Sequence, residues 1–82
     1  MRMSRDLSAQ ELTELLKIYG YQITRKTGSH LRLTTIRKGE HHITIPKHRP
    51  LKVGTLSSIL SDIASYQKVS RKTLIKELFG NE

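Results

Sequence analysis

Gly28, Ser29 and His30 are consecutive, and they set a histidine at the mouth of a turn, just ahead of the alternating Leu31-Arg32-Leu33 of a strand. Histidine is the side chain whose ordinary pKa lets it take and give a proton near neutral pH. Close to it in sequence stand Lys26 and Arg32, and the whole chain sets 15 Lys and Arg against 7 Asp and Glu, a formal charge of +8. A field of that sign holds a polyanion against a proton carrier. The pairing points to chemistry on nucleic acid. RNA supplies its own nucleophile, the 2′-hydroxyl beside each phosphate, so a protein need only move protons and stabilise the charged phosphorane.

His30 is therefore the candidate catalytic residue, and Lys26, Gly28, Ser29, Arg32, Lys47, His48 and Lys52 are the candidate RNA contacts. Gly28 offers either room for a ribose to approach or a plain permissive turn. Ser29 can donate to a phosphate oxygen or bond its own backbone. His48, between Pro46 and Pro50, reads either as a second proton carrier or as a loop histidine. His41 and His42 read as exposed hairpin residues. With His48 they make a poor metal set, because no acidic residue sits at a supporting spacing, so neither metal nor cofactor is expected. The basic residues as a group, Arg25 and Arg49 among them, suit phosphate; Lys68, Arg71, Lys72 and Lys76 form a second cluster that could equally face an acidic protein.

Composition narrows the class further. At 82 residues the chain makes one domain, spanning 1–82, and with one Phe and no Trp its core must come from scattered Leu, Ile and Val. The absence of cysteine excludes a disulfide, a thiolate nucleophile and a Cys-type zinc site. No apolar run approaches the roughly 20 residues of a membrane span and no signal-type segment follows Met1, so a cytoplasmic protein is expected. Three Tyr and one Phe are few stacking surfaces for reading single-stranded bases. Charge alone fits two other readings: a non-catalytic RNA-binding module, and an interaction subunit paired with an acidic protein. No helix-turn-helix pattern supports a DNA reader.

The elements that must position these residues follow from pattern. Ser8-Ala9-Gln10-Glu11 has capping-box spacing, and Leu12, Leu15, Leu16 and Tyr19 continue as one apolar stripe to Gly20, predicting a helix over about 8–19. Strands are predicted over about 21–26, 30–37 and 41–46, separated by turns at residues 27–29 and 38–40. A three-residue second turn would pair Arg37 with His41, Thr35 with Ile43 and Leu33 with Ile45, gathering Leu31, Leu33, Ile43 and Ile45 on one face. The other face then carries His30, Arg32, Thr34 and Thr44, with His48 roughly opposite His30, and Ile36 falls on the wrong face. Val53, Leu56, Ile59, Leu60 and Ile63 mark a helix over about 52–64, and Ser70 caps one over about 70–79 whose Leu74, Ile75, Leu78 and Phe79 suit either core or partner. A three-stranded antiparallel meander with helices on one face is the economical α+β arrangement.

Gly20-Tyr21, Gly28-Ser29-His30, Ile43 through His48, Leu51 through Leu56 and Ser58-Ile59-Leu60, in this order and spacing, resemble the HicA (YcfA-like) toxins, and Ser70-Arg71 is similar to that family's C-terminal end. The resemblance runs from about Leu7 to Phe79; the segment between His48 and Gly54 looks shorter, and that from Ile63 to Val69 longer, than is usual in the family. It implies a double-stranded-RNA-binding-domain-like α-β-β-β-α fold with an extra C-terminal helix. It also implies the toxin of a type II toxin–antitoxin system, a metal-independent endoribonuclease cleaving mRNA and neutralised by a cognate HicB-type antitoxin. The family's active histidine carries over to His30.

Overall fold

The computed structural model describes residues 7–80; residues 1–6 and 81–82, the two ends of the domain expected over 1–82, lie outside the described residues. The capping box forms as its spacing dictates. Ser8 Oγ accepts from the Glu11 amide at 3.1 Å, and Glu11 Oε1 accepts from the Ser8 amide at 2.9 Å. These bonds to Ser8, backbone first, hold the Glu11 carboxyl below the usual carboxylate range. Helix α1 spans Ala9–Leu16 and tightens into a 3-10 turn over Lys17–Tyr19 where one continuous helix was expected. Gly20 ends it at φ 84, and a Cβ there would sit 2.8 Å from Thr35 Oγ1. Glycine is thus needed at that position for both conformation and space.

Strands β1 (Gln22–Lys26), β2 (His30–Thr35) and β3 (His41–Pro46) form an antiparallel sheet in the order β1-β2-β3. Leu31, Leu33, Ile43 and Ile45 share the inner face, all buried, as the alternation requires. The outer face carries His30, Arg32, Thr34, His42 and Thr44.

The register of the second hairpin differs from the sequence reading by two residues. Thr35 pairs with His41, Leu33 with Ile43 and Leu31 with Ile45, so β2 stops at Thr35 and residues 36–40 form the loop. Thr35 decides this. It is 1% exposed, and its hydroxyl donates to the Tyr19 carbonyl at 2.9 Å while accepting from the Arg37 amide at 3.1 Å. That bond bends the chain out of the sheet before Arg37 can pair. The end of α2 then clamps the loop: Tyr66 Oη donates to the Lys38 carbonyl at 2.8 Å, and Lys38 Nζ donates to the Gln67 carbonyl at 2.6 Å. Ile36 consequently lies in the loop, 84% exposed, rather than on a sheet face.

Helix α2 (Val53–Gln67) covers the inner face together with α1, and α3 (Arg71–Phe79) packs against both helices. Helix α2 outruns its expected end at residue 64 and stops at Lys68 in the left-handed conformation (φ 59). The extra turn has a job. Tyr66 stacks on His41 with ring centres 4.2 Å apart, and His41 reaches Tyr21 Oη at 2.7 Å and Asp62 Oδ1 at 3.3 Å. His41 is thus half-buried between sheet and helix, a correction to its reading as an exposed hairpin residue; His42 is exposed as expected. In α3, Ser70 Oγ accepts from the Thr73 amide at 3.0 Å, Leu74 and Leu78 enter the core, and Ile75 and Phe79 pack at its edge. Arg71 ties α3 to α2 through Ser57 and Ser61. The last helix is core, and it sits over α1 and α2.

Candidate nucleic-acid interface

The turn before β2 is held by one threonine and one lysine. Thr27 Oγ1 accepts from the Ser29 amide at 3.3 Å and from the His30 amide at 3.0 Å, while the Thr27 amide donates to the His30 carbonyl at 3.0 Å. From the end of β3, the Lys47 amide donates to the Ser29 carbonyl at 2.8 Å and Lys47 Nζ donates to the Thr27 carbonyl at 2.6 Å. These five hydrogen bonds fix the backbone that presents His30.

The imidazole is fixed on one side only. Its Nδ1 lies 2.8 Å from Ser29 Oγ, and among the described residues its Nε2 makes no hydrogen bond. A hydroxyl both donates and accepts, so Ser29 can serve either tautomer of the ring while Nε2 stays available. His30 borders a recess of about 260 Å³ with Arg25, Thr27, Arg32 and Thr44, all polar or cationic.

Arg25 belongs to this recess because β1 is irregular. Ile23 pairs with Leu33 and Arg25 with Arg32, which leaves Thr24 as the extra residue of a β-bulge. A bulge turns two successive side chains toward one face and is a recurrent device beside functional sites. Here Thr24 and Arg25 both face outward; Thr24 Oγ1 meets Thr34 Oγ1 at 2.9 Å, and Arg25 joins Arg32. The alternation restarts one residue late, so Lys26 is sent to the other side.

The other side is a separate cleft of about 310 Å³, where Lys26, Lys47, His48 and Arg49 gather over Leu31 beside the start of α1. The candidate residues thus divide into two groups. His30, Ser29 and Arg32 share the outer face; Lys26, Lys47 and His48 border the cleft at the sheet's end, and Lys52 is exposed at the cap of α2. His48 does not stand opposite His30, because Pro46 does: the two-residue register change moved the pairing. Gly28 is also placed differently from its reading as a permissive turn. Its φ is outside the left-handed region and an added Cβ would meet open space, so the backbone makes no demand for glycine there.

Sequence reasoning undervalued Arg25, Thr27 and Thr44. Thr44 was legible from alternation once the inner face was set. The role of Thr27 followed from a threonine two residues before a turn amide. Nothing in the sequence marked the bulge.

A small α+β domain with an open, cationic sheet face and a histidine presented beside two arginines is the class that this geometry defines. The family model for the HicA toxin of bacterial toxin–antitoxin systems matches residues 9–64, from the start of α1 into α2. The chain belongs to the HicA toxin family, and membership implies an antitoxin partner. Searches of the curated proteins and of the solved structures each gave no match.

Proposed function

We infer that the protein is a metal-independent endoribonuclease acting on mRNA, with His30 as its proton carrier. The observation that carries this reading is the half-fixed imidazole: Nδ1 is on Ser29, Nε2 has no hydrogen-bond partner among the described residues, and the residue borders an open recess with two arginines. His30 Nε2 takes the proton of a 2′-hydroxyl. The 2′-oxygen bonds to phosphorus as the bond to the 5′-oxygen breaks, and solvent, which reaches this open face, protonates the departing oxygen. The products are a 2′,3′-cyclic phosphate and a 5′-hydroxyl. Proton transfer by one positioned side chain supplies roughly 10²–10⁴-fold, and the positive field of the guanidiniums bordering the recess favours the more highly charged phosphorane without contacting it.

The cleft at the sheet's end, with Lys26, His48 and Arg49, would extend phosphate contact beyond the outer face. A HicB-type antitoxin is the expected partner in the cytoplasm, and an acidic docking face on it would suit this chain's formal charge of +8.

The test is product-end analysis after incubating the protein with a long single-stranded RNA in EDTA. Cyclic phosphate and 5′-hydroxyl ends support the assignment. Intact RNA, or 5′-phosphate ends appearing only with added divalent metal, would replace it with the binding-module reading or a metal-dependent one.

A further inference from the structure

We propose that Arg25 and Arg32 form a clamp for one phosphodiester of the RNA, the one next to the bond that is cut. The proposal deepens the ribonuclease reading and rests on it for the identity of the polyanion. Its starting point is a pairing that a sheet alone disfavours. Arg25 and Arg32 are register partners on neighbouring strands. Side chains so placed stand about 5 Å apart at Cβ, where like charges destabilise the pair. Among the described residues neither guanidinium makes a hydrogen bond or ion pair, whereas Arg37 donates to the Ile18 carbonyl at 2.7 Å and Arg71 is bonded to Ser57 and Ser61. Two uncommitted forks on paired positions, bordering the same two hollows, suit the oxygens of a phosphate, which arginine binds bidentately.

The surroundings give the clamp a direction. The 260 Å³ recess containing His30 and a neighbouring groove of about 550 Å³ along the outer face share Arg25 and Arg32 as their common wall. A strand of RNA passing from one hollow to the other crosses between the two guanidiniums. Arg32 follows His30 by two residues, about 7 Å along the strand, so a phosphate at the clamp and the reacting phosphate at His30 are neighbours on an extended chain. The far groove is bordered by Glu40, the acid on this face, but its Oε2 is bonded to His42 Nε2 at 2.6 Å. His42 in turn bonds Thr34, and Thr34 bonds Thr24 in the bulge, at 2.7 and 2.9 Å. That chain of bonds fixes the residue which throws Arg25 onto this face.

The experiment measures binding of a 2′-O-methyl single-stranded oligonucleotide, which cannot be cleaved through its 2′-oxygen, to Arg25→Gln, Arg32→Gln, the double variant, and Lys72→Gln on α3 as a control for general charge. Each arginine variant should bind about tenfold more weakly, the loss of a charge-assisted contact. The dependence of log K on log salt should become shallower by about 0.7 per lost contact. Their melting temperatures should hold or rise, since the repulsion between strands is removed. Arg→Lys at either position should recover only part of the affinity. Undiminished binding, or an equal loss in Lys72→Gln, overturns the clamp. So does loss of poly-glutamate binding with RNA binding intact, which would make this face a docking site for an acidic protein. Because the probe is not cleaved, the clamp can stand while the His30 assignment fails, and the reverse.

Discussion

Replacing Lys47 by Met separates two roles that the charge alone confuses. The lysine ammonium donates to the Thr27 carbonyl at 2.6 Å, so its charge is spent on the turn before His30. Methionine keeps the stem and loses that bond. A hydrogen bond to a charged group contributes roughly 1.5–3 kcal/mol, but Lys47 is exposed and water can replace much of it. About 1 kcal/mol is the reasonable share, worth about 4–8 °C in melting temperature for a domain of this size. The backbone remains held by the Lys47 amide on Ser29 and by Thr27 Oγ1 on two amides, so the turn loosens without opening. His30 should then be present but less well aimed. In single-turnover cleavage of RNA, the maximal rate should fall by up to about 10²-fold, the scale of a 1 Å misplacement of a reacting group, while RNA affinity and its salt dependence change little. The opposite pattern, an unchanged maximal rate with weaker binding and a shallower salt slope, would make Lys47 a phosphate contact and refute the positioning argument.

Two other perturbations probe the frame. Leu74 is fully buried, so Leu74→Ala should cost about 2–5 kcal/mol, enough to unfold much of so small a domain, as denaturant titration would show; a cost below about 1 kcal/mol would mean that α3 serves a partner rather than the core. At high pH, burial first and then the bond to Glu77 push the Tyr19 phenol up to about 12. The unfolded chain releases that proton near the ordinary value of 10, so between about pH 10 and 12 the unfolded state binds fewer protons and stability falls as pH rises. Tyr19→Phe should flatten that part of the stability profile and remove a tyrosinate transition near pH 12 from an absorbance titration.

The sheet's two faces were legible because Leu31, Leu33, Ile43 and Ile45 alternate with polar residues, and a buried face enforces period two. The same period hid the register. A slip of two residues preserves both faces, so alternation cannot tell Arg37 from Thr35 opposite His41. The choice was made by a hydroxyl seeking the Tyr19 carbonyl and by the end of α2 closing on the loop, both contacts between elements distant in sequence. Helix α2 ran past residue 64 for a related reason, since Tyr66 is held by His41 and Lys38 rather than by helical propensity. For the site, His30 and Arg32 could be put on one face from their spacing. Lys26 and Arg25 exchanged places because Thr24 bulges, and a bulge leaves no compositional mark. His48 moved away from His30 with the register.

The central claim is that the His30 ring moves the proton. Purified wild type and His30→Ala should be compared on one long single-stranded RNA in EDTA, with binding measured beside cleavage. The account predicts that the variant binds RNA nearly as tightly as wild type, keeps its melting temperature, and loses cleavage by at least about 10²-fold. Cleavage at the wild-type rate by His30→Ala would contradict it.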